Sequence, residues 1–121
     1  MPFDSASVNQ EEDTYANILR RAAALLRQYG WTQGKYCDDQ GRLCILGAIG
    51  MAMTGSPTQA HESYRVARVA MCVGDIVNEG TVHPWNDTLC RTAEEAIAAL
   101  EAAAAKEEAI DTRVKELTHA V

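Results

Sequence analysis

The stretch from Leu43 to Met53, Leu-Cys-Ile-Leu-Gly-Ala-Ile-Gly-Met-Ala-Met, is apolar on every side when it is drawn as a helix. Such a helix has no polar face to turn toward water, so it is expected to be buried. Gly47 and Gly50 would let a neighbouring element approach it closely. The fold is therefore predicted to be built around this central helix.

Helical periodicity continues on the N-terminal side of this stretch. Apolar residues recur at spacings of three and four from Tyr15 to Tyr29, and Gly30 can take the positive φ angle that often follows a helix end. On the C-terminal side, a third helix is predicted to start at an N-cap, Ser56 or Thr58, and to run to about residue 78 before Gly80.

The last helix is predicted from Thr92-Ala93-Glu94-Glu95, which is a capping box. Before it, the sequence from Thr81 to Arg91 is expected to be a loop. Between the first two helices, Asp38-Asp39-Gln40-Gly41 suits a tight turn, so a hairpin is expected near residues 35 to 45. The predicted fold class is mainly α: a four-helix orthogonal or bundle-like domain with one short β-hairpin and a long C-terminal helix.

The domain organisation is expected to be simple, because 121 residues suit one domain. Residues 1–12 lack apolar periodicity and are expected to form a flexible leader. Residues 13–121 are expected to form a single helical domain, in which 105–121 extend the C-terminal helix.

Charge and hydropathy argue against two classes of partner. The formal net charge of −6 has the wrong sign for binding a nucleic-acid backbone. No run approaches the roughly 20 apolar residues of a membrane span, and no signal peptide is recognisable. A cytoplasmic location is therefore expected, in which the four cysteines would remain thiols.

Cys44 is the strongest candidate nucleophile, because a thiolate at a helix N-terminus is stabilised by the helix dipole. His83 could serve as its base, Asn86 or Asp87 as the group that orients the base, and Gln33 as an oxyanion donor. The alternative hypothesis is that Cys44 is a small buried core residue. Neither a metal site nor a cofactor is predicted, because the possible metal ligands lack the short paired spacing of a zinc site; they are Cys37, Cys44, Cys90, His61 and His83.

Two tryptophans lie in the most polar loops and could form the floor of a pocket for a small ligand. The predicted ligand-binding residues are Trp31, Gln33, Asp38, Arg42, Trp85, Asn86 and Asp87. The alternative is that each Trp packs into the core while Asn86 and Asp87 cap or turn the chain.

The C-terminal helix carries a second apolar stripe beyond the expected core. Ile110, Val114, Leu117 and Val121 follow a four-three-four spacing, so they predict a homo-oligomer, either a dimer or a higher cyclic form. The alternative is that this tail folds back onto its own bundle or frays.

Several segments together resemble an uncharacterised family of small proteins encoded by actinobacteria, other bacteria and their phages. The resemblance spans residues 15 to 104 and implies no activity, and the family pattern has no regular histidine at position 83. The segments are Tyr15 to Ala22, Gly30-Trp31-Thr32-Gln33-Gly34, Asp38 with Gly41-Arg42, Cys44 with Leu46-Gly47-Ala48, Trp85-Asn86-Asp87, and Arg91-Thr92-Ala93-Glu94-Glu95.

The function expected from these observations is that of a non-catalytic binding protein. It would either bind a host protein, as a phage-encoded factor, or sequester a small molecule, and it would act as a homo-oligomer. The competing hypothesis is a cysteine-dependent hydrolase or transferase that uses Cys44 and His83.

Overall fold

The computed structural model describes residues 13–58, 63–78 and 80–119. Within these ranges the chain forms the helices α1 (Tyr15–Tyr29), α2 (Ile45–Thr54), α3 (Tyr64–Val77), α4 (Val82–Asn86) and α5 (Ala93–His119). The mainly helical class and the long C-terminal helix are confirmed. The predicted leader, residues 1–12, lies outside the described residues.

Helix α1 has the local signals that its sequence predicts. The side chain of Thr14 accepts a hydrogen bond from the backbone N–H of Asn17 at the N-terminal end. At the other end, Gly30 has a φ angle of 98° and its N–H donates to the carbonyl oxygen of Leu26. Because a side chain at Gly30 would be strained at this angle, glycine lets the chain leave the helix sharply.

Helix α2 is the buried central helix that its composition predicts. Ile45, Ala48 and Ile49 are each 0% exposed, and the helix packs against α1, α3 and α4. Cys44 is its N-cap, because Sγ accepts a hydrogen bond from the N–H of Gly47.

The predicted hairpin near residues 35 to 45 is wrong. Leu43 instead makes two isolated bridges, a parallel one with Trp31 and an antiparallel one with Cys37. The physical reason is that a side chain accepts hydrogen bonds from backbone N–H groups that would otherwise pair the two strands of a hairpin. Asp38 Oδ1 accepts from the N–H groups of Gln40 and Arg42.

Two further sequence-based boundaries need correction. The N-cap of α3 is Ser63, whose Oγ accepts from Val66 N–H, rather than Ser56 or Thr58. This helix ends at Val77, close to the predicted residue 78, but the left-handed residue that ends it is Asn78 and not Gly80. The predicted loop from 81 to 91 contains the one-turn helix α4, which accommodates Pro84 because first-turn residues need no intrahelical acceptor for an N–H.

Helix α5 spans 27 residues and begins with the predicted capping box. Glu95 N–H donates to Thr92 Oγ1 at 3.1 Å, and Thr92 N–H donates to Glu95 Oε1 at 2.9 Å. The helix runs antiparallel to α1, because the ion pairs between them join Arg27 to Glu101 and Arg20 to Glu108.

Candidate functional site

Asn86 is the centre of a buried hydrogen-bond network and is 1% exposed. Its Oδ1 accepts from the indole N–H of Trp31 at 2.8 Å and from the backbone N–H of Ile45 at 3.1 Å. Its Nδ2 donates to the carbonyl oxygen of Thr32 at 3.2 Å and to Asp87 Oδ1 at 2.9 Å. An amide side chain has two donors and about two acceptor positions, so this one is fully used. Asn86 therefore fixes the loop before α2, the start of α2 and α4 to one another.

Gln33 and Asp87 hold the same loop from its exposed side. Gln33 Nε2 donates to the backbone carbonyls of Asn86 and Thr88, each at 2.9 Å. Asp87 Oδ1 accepts from the N–H of Gly34 at 3.0 Å as well as from Asn86. Four predicted ligand-binding residues, Trp31, Gln33, Asn86 and Asp87, are thus brought together, and they bind each other.

Asp38 and Arg42, also predicted to bind ligand, form a separate pair in the turn before α2. Arg42 Nε donates to Asp38 Oδ2 at 2.7 Å. Desolvation pushes the pKa of Asp38 upward, but hydrogen bonds from the backbone N–H and guanidinium of Arg42 and from Gln40 outweigh it and lower the pKa to about 2. This carboxylate therefore stabilises the turn while it is ionised.

The two indoles have different partners. Trp31 bonds to Asn86, whereas the ring of Trp85 lies under the guanidinium of Arg91, whose central carbon is 3.9 Å from the ring centroid. Arg91 Nε also donates to the carbonyl oxygen of Trp85 at 3.1 Å. This cation–π contact connects α4 to the start of α5.

A cleft of about 310 Å³ opens beside the Asn86 network. Its lining comes from the loop before α2, the start of α2, and α4: Gly34, Lys35, Tyr36, Cys44, Leu46, His83 and Asp87. The three residues of the cysteine-hydrolase hypothesis, Cys44, His83 and Asp87, all line it. Of the predicted ligand-binding residues, only Asp87 does.

Sequence reasoning missed Lys35, Tyr36 and Leu46 as cleft residues. The sequence contains one indication of this part of the cleft, which is the glycine at position 47 within the apolar helix. A Cβ atom at Gly47 would lie 2.0 Å from the backbone oxygen of Tyr36, so α2 touches the preceding loop directly at this point. That carbonyl oxygen also accepts from Cys44 N–H at 3.3 Å.

Cys44 lines this cleft and is only 5% exposed. Burial raises the pKa of its thiol and the negative charge of Asp87 raises it further, while hydrogen bonds from the N–H groups of Gly47 and Leu46 oppose the rise. Among the hydrogen bonds of the described residues, Cys44 Sγ is joined to Gly47 and not to His83. The group is therefore a protonated thiol at neutral pH.

The predicted association stripe lies on the exposed end of α5. Ile110, Val114 and Leu117 are 44%, 55% and 59% exposed. The fourth residue of the stripe, Val121, lies outside the described residues, as does His61.

The described residues contain neither a cluster of metal ligands nor a helix suited to a membrane. No group of three or more His, Cys, Asp or Glu residues there could hold a metal ion. Across residues 13–58, 63–78 and 80–119, no helix is long and apolar enough to cross a membrane.

No curated protein and no solved structure matches the chain. One family model does match, over residues 10–106, and that range includes the Asn86 network and every residue that lines the cleft. Because the match covers more than half of the sequence, the chain belongs to a family of unknown function, DUF6197.

Proposed function

We propose that this protein is a non-catalytic binding protein that holds a small molecule in the cleft between α2, α4 and the loop before α2. The observation that carries the proposal is that all three walls of the cleft are joined by one buried side chain, Asn86. A site whose walls are fixed in advance loses little conformational entropy when a ligand binds.

The size and lining of the cleft indicate the class of ligand. Its volume of about 310 Å³ is near the lower end of the range for small-molecule pockets. Tyr36 and Leu46 supply apolar surface, while Lys35, His83 and Asp87 supply polar groups. A small ligand with an apolar body and one charged or hydrogen-bonding group fits this lining.

The state of Cys44 favours binding over catalysis. A nucleophilic cysteine needs a thiolate, and the pKa of this thiol is raised by burial. Its sulfur accepts a hydrogen bond from Gly47 N–H as the N-cap of α2. In the proposed binding function, the thiol of Cys44 therefore has a structural role.

The test is a fragment screen of the ¹⁵N-labelled full chain with small aromatic amines and carboxylates. Binding is expected to shift the amide signals of Gly34, Lys35 and Leu46. The variant Leu46→Trp, which fills the cleft, should abolish these shifts, whereas Leu89→Ala, outside the cleft, should keep them. Hits that shift only other amides, or equal binding by Leu46→Trp, would count against the proposal.

A second candidate, a cysteine-dependent hydrolase or transferase, is favoured by one observation: Cys44, His83 and Asp87 line the same cleft. In that function Cys44 would be the nucleophile, His83 the general base and Asp87 the group that orients the base. It requires His83 to approach the sulfur and the thiol to ionise on substrate binding. The rate at which the thiol of Cys44 is alkylated distinguishes this enzymatic function from the binding function.

A protein ligand is favoured by Leu89, which is 88% exposed on the turn after α4. The following residue, Cys90, has a φ angle of 70°, which is uncommon for a non-glycine residue. In this version of the binding function the chain is a cytoplasmic, phage-encoded or bacterial factor, and Leu89 anchors a host protein. Leu89→Asp would then lose a host protein that the native chain captures, and Thr88→Ser would keep it.

A further inference from the structure

Two exposed side chains of opposite charge, Lys35 and Asp87, line the cleft. Within the described residues, neither forms an ion pair, and the ammonium group of Lys35 donates no hydrogen bond. Asp87 Oδ1 accepts from the N–H of Gly34 and from Asn86 Nδ2, whereas Oδ2 accepts from no described residue. The carboxylate is thus held in place by one oxygen, and its other oxygen can bind a ligand.

The two charges belong to neighbouring points of the cleft wall. Asp87 Oδ1 is bonded to the N–H of Gly34 at 3.0 Å, and Lys35 is the next residue, with its Cα about 3.8 Å from that of Gly34. The lysine side chain is exposed and has a flexible stem, so its ammonium group can move close to the free oxygen of Asp87. One small head group can therefore contact both charges.

We infer that the ligand of the cleft is a free α-amino acid with an apolar side chain. This inference rests on the proposed binding function and specifies the polar part of its ligand as a head group with two opposite charges. The ammonium group of the ligand binds Asp87 Oδ2, and its carboxylate binds the ammonium group of Lys35. The ring of His83 is a further hydrogen-bonding group of the cleft, and Tyr36 and Leu46 contact the apolar side chain.

Charge and size both favour this class of ligand. A molecule with a single charge would cover the cleft and leave Lys35 or Asp87 partly desolvated without a partner, which costs free energy. A molecule with both charges compensates both groups. The volume of about 310 Å³ is near the lower end for small-molecule pockets, so it suits one amino acid better than a nucleotide. Because Lys35 and Asp87 are exposed, each charge contact contributes modestly and the apolar contact must add to them.

NMR titration of the ¹⁵N-labelled full chain tests the inference with three probes of one skeleton: L-phenylalanine, 2-phenylethylamine and 3-phenylpropanoate. L-Phenylalanine should shift the amide signals of Gly34, Lys35 and Leu46 and bind at least about tenfold more tightly than either singly charged probe. If a singly charged probe binds there as tightly, the inference is overturned and the proposed function stands. If no probe shifts these amides, the inference is overturned as well, and the fragment screen then decides the proposed function.

Two variants assign the charges. Asp87→Asn keeps an oxygen acceptor for Gly34 N–H and should weaken L-phenylalanine and 2-phenylethylamine while 3-phenylpropanoate binds as before. Lys35→Met should weaken L-phenylalanine and 3-phenylpropanoate but not 2-phenylethylamine. Asp75→Asn and Lys106→Met make the same changes outside the cleft and should bind all three probes like the native chain. A cleft variant that weakens all three probes equally, or none of them, would overturn the inference. The dispersion of the amide spectrum confirms that each variant is folded.

Discussion

The indole N–H of Trp31 donates to Oδ1 of Asn86 at 2.8 Å, across 55 positions of sequence. The same oxygen accepts the N–H of Ile45, so one buried atom fixes a loop and the first residue of the central helix. Asn86 supports the walls of the cleft without lining it. Its role can therefore be tested through stability, separately from ligand binding.

Replacing Asn86 with alanine should lower the free energy of unfolding by about 3–5 kcal/mol, because the buried N–H of Ile45 and the indole N–H of Trp31 both lose their acceptor. Urea unfolding measures the change. Asn17→Ala, at an exposed position of α1, is the matched control and should change stability by less than about 0.5 kcal/mol. Equal stability of the two variants would show that the network does not stabilise the fold.

The two tryptophans should differ when each is changed to phenylalanine. Trp31→Phe removes the donor to Asn86 along with ring volume, whereas Trp85→Phe keeps an aromatic ring under Arg91. We expect Trp31→Phe to be less stable than Trp85→Phe by about 1 kcal/mol, the usual net value of one hydrogen bond. Chemical denaturation of both variants under the same conditions gives the difference, and the reverse order would contradict it.

Gly47→Ala should destabilise the protein by about 2–4 kcal/mol, because the new Cβ would lie 2.0 Å from the backbone oxygen of Tyr36 and α2 would have to move. Helix propensity alone predicts the opposite sign, since alanine in place of glycine normally stabilises a helix by about 1 kcal/mol. Gly80→Ala, where a Cβ meets nothing within 4 Å, is the control. A higher melting temperature for Gly47→Ala than for the native chain would refute the close approach of α2 to the backbone of Tyr36.

The stability of the turn before α2 should depend on pH through Asp38. The pKa of this carboxyl falls from 3.8 to about 2 in the folded protein, so its stabilising effect is present above pH 3.8 and is lost as the pH falls toward 2. A ¹³C NMR titration of the carboxyl should give a midpoint near pH 2. Asp38→Asn should remove this part of the acid sensitivity, while Asp39→Asn should retain it. A midpoint near 4 would contradict the hydrogen-bonded turn.

Iodoacetamide should label Cys90 at least about tenfold faster than Cys44 near neutral pH, because Cys90 is exposed and burial raises the pKa of Cys44. The labelling rate of Cys44 should still increase above pH 9, where an ordinary thiol is already half ionised. Peptide mass spectrometry follows each site, and Cys44→Ser confirms the assignment. If Cys44 is labelled first, the hydrolase hypothesis replaces the non-catalytic one.

Sequence alone determined the parts of the fold that depend on neighbouring residues. Three sequence patterns each predict a helix that the structure contains. They are the three-and-four spacing of apolar residues from Tyr15 to Tyr29, the apolar run that forms α2, and the capping box of Thr92 and Glu95. These signals are local, because a capping hydrogen bond spans three residues and a helical turn spans fewer than four.

Only the tertiary structure decided the form of the segment before α2 and of the cleft. Within the segment expected to form a hairpin, Asp38 accepts the N–H groups of Gln40 and Arg42. Just before it, the carbonyl of Thr32 and the N–H of Gly34 are bonded to Asn86 and Asp87, 54 and 53 positions away. No local pattern encodes such bonds. A polar side chain takes its partners from whatever packing brings within about 3 Å, and this packing exists only after the helices have assembled around α2.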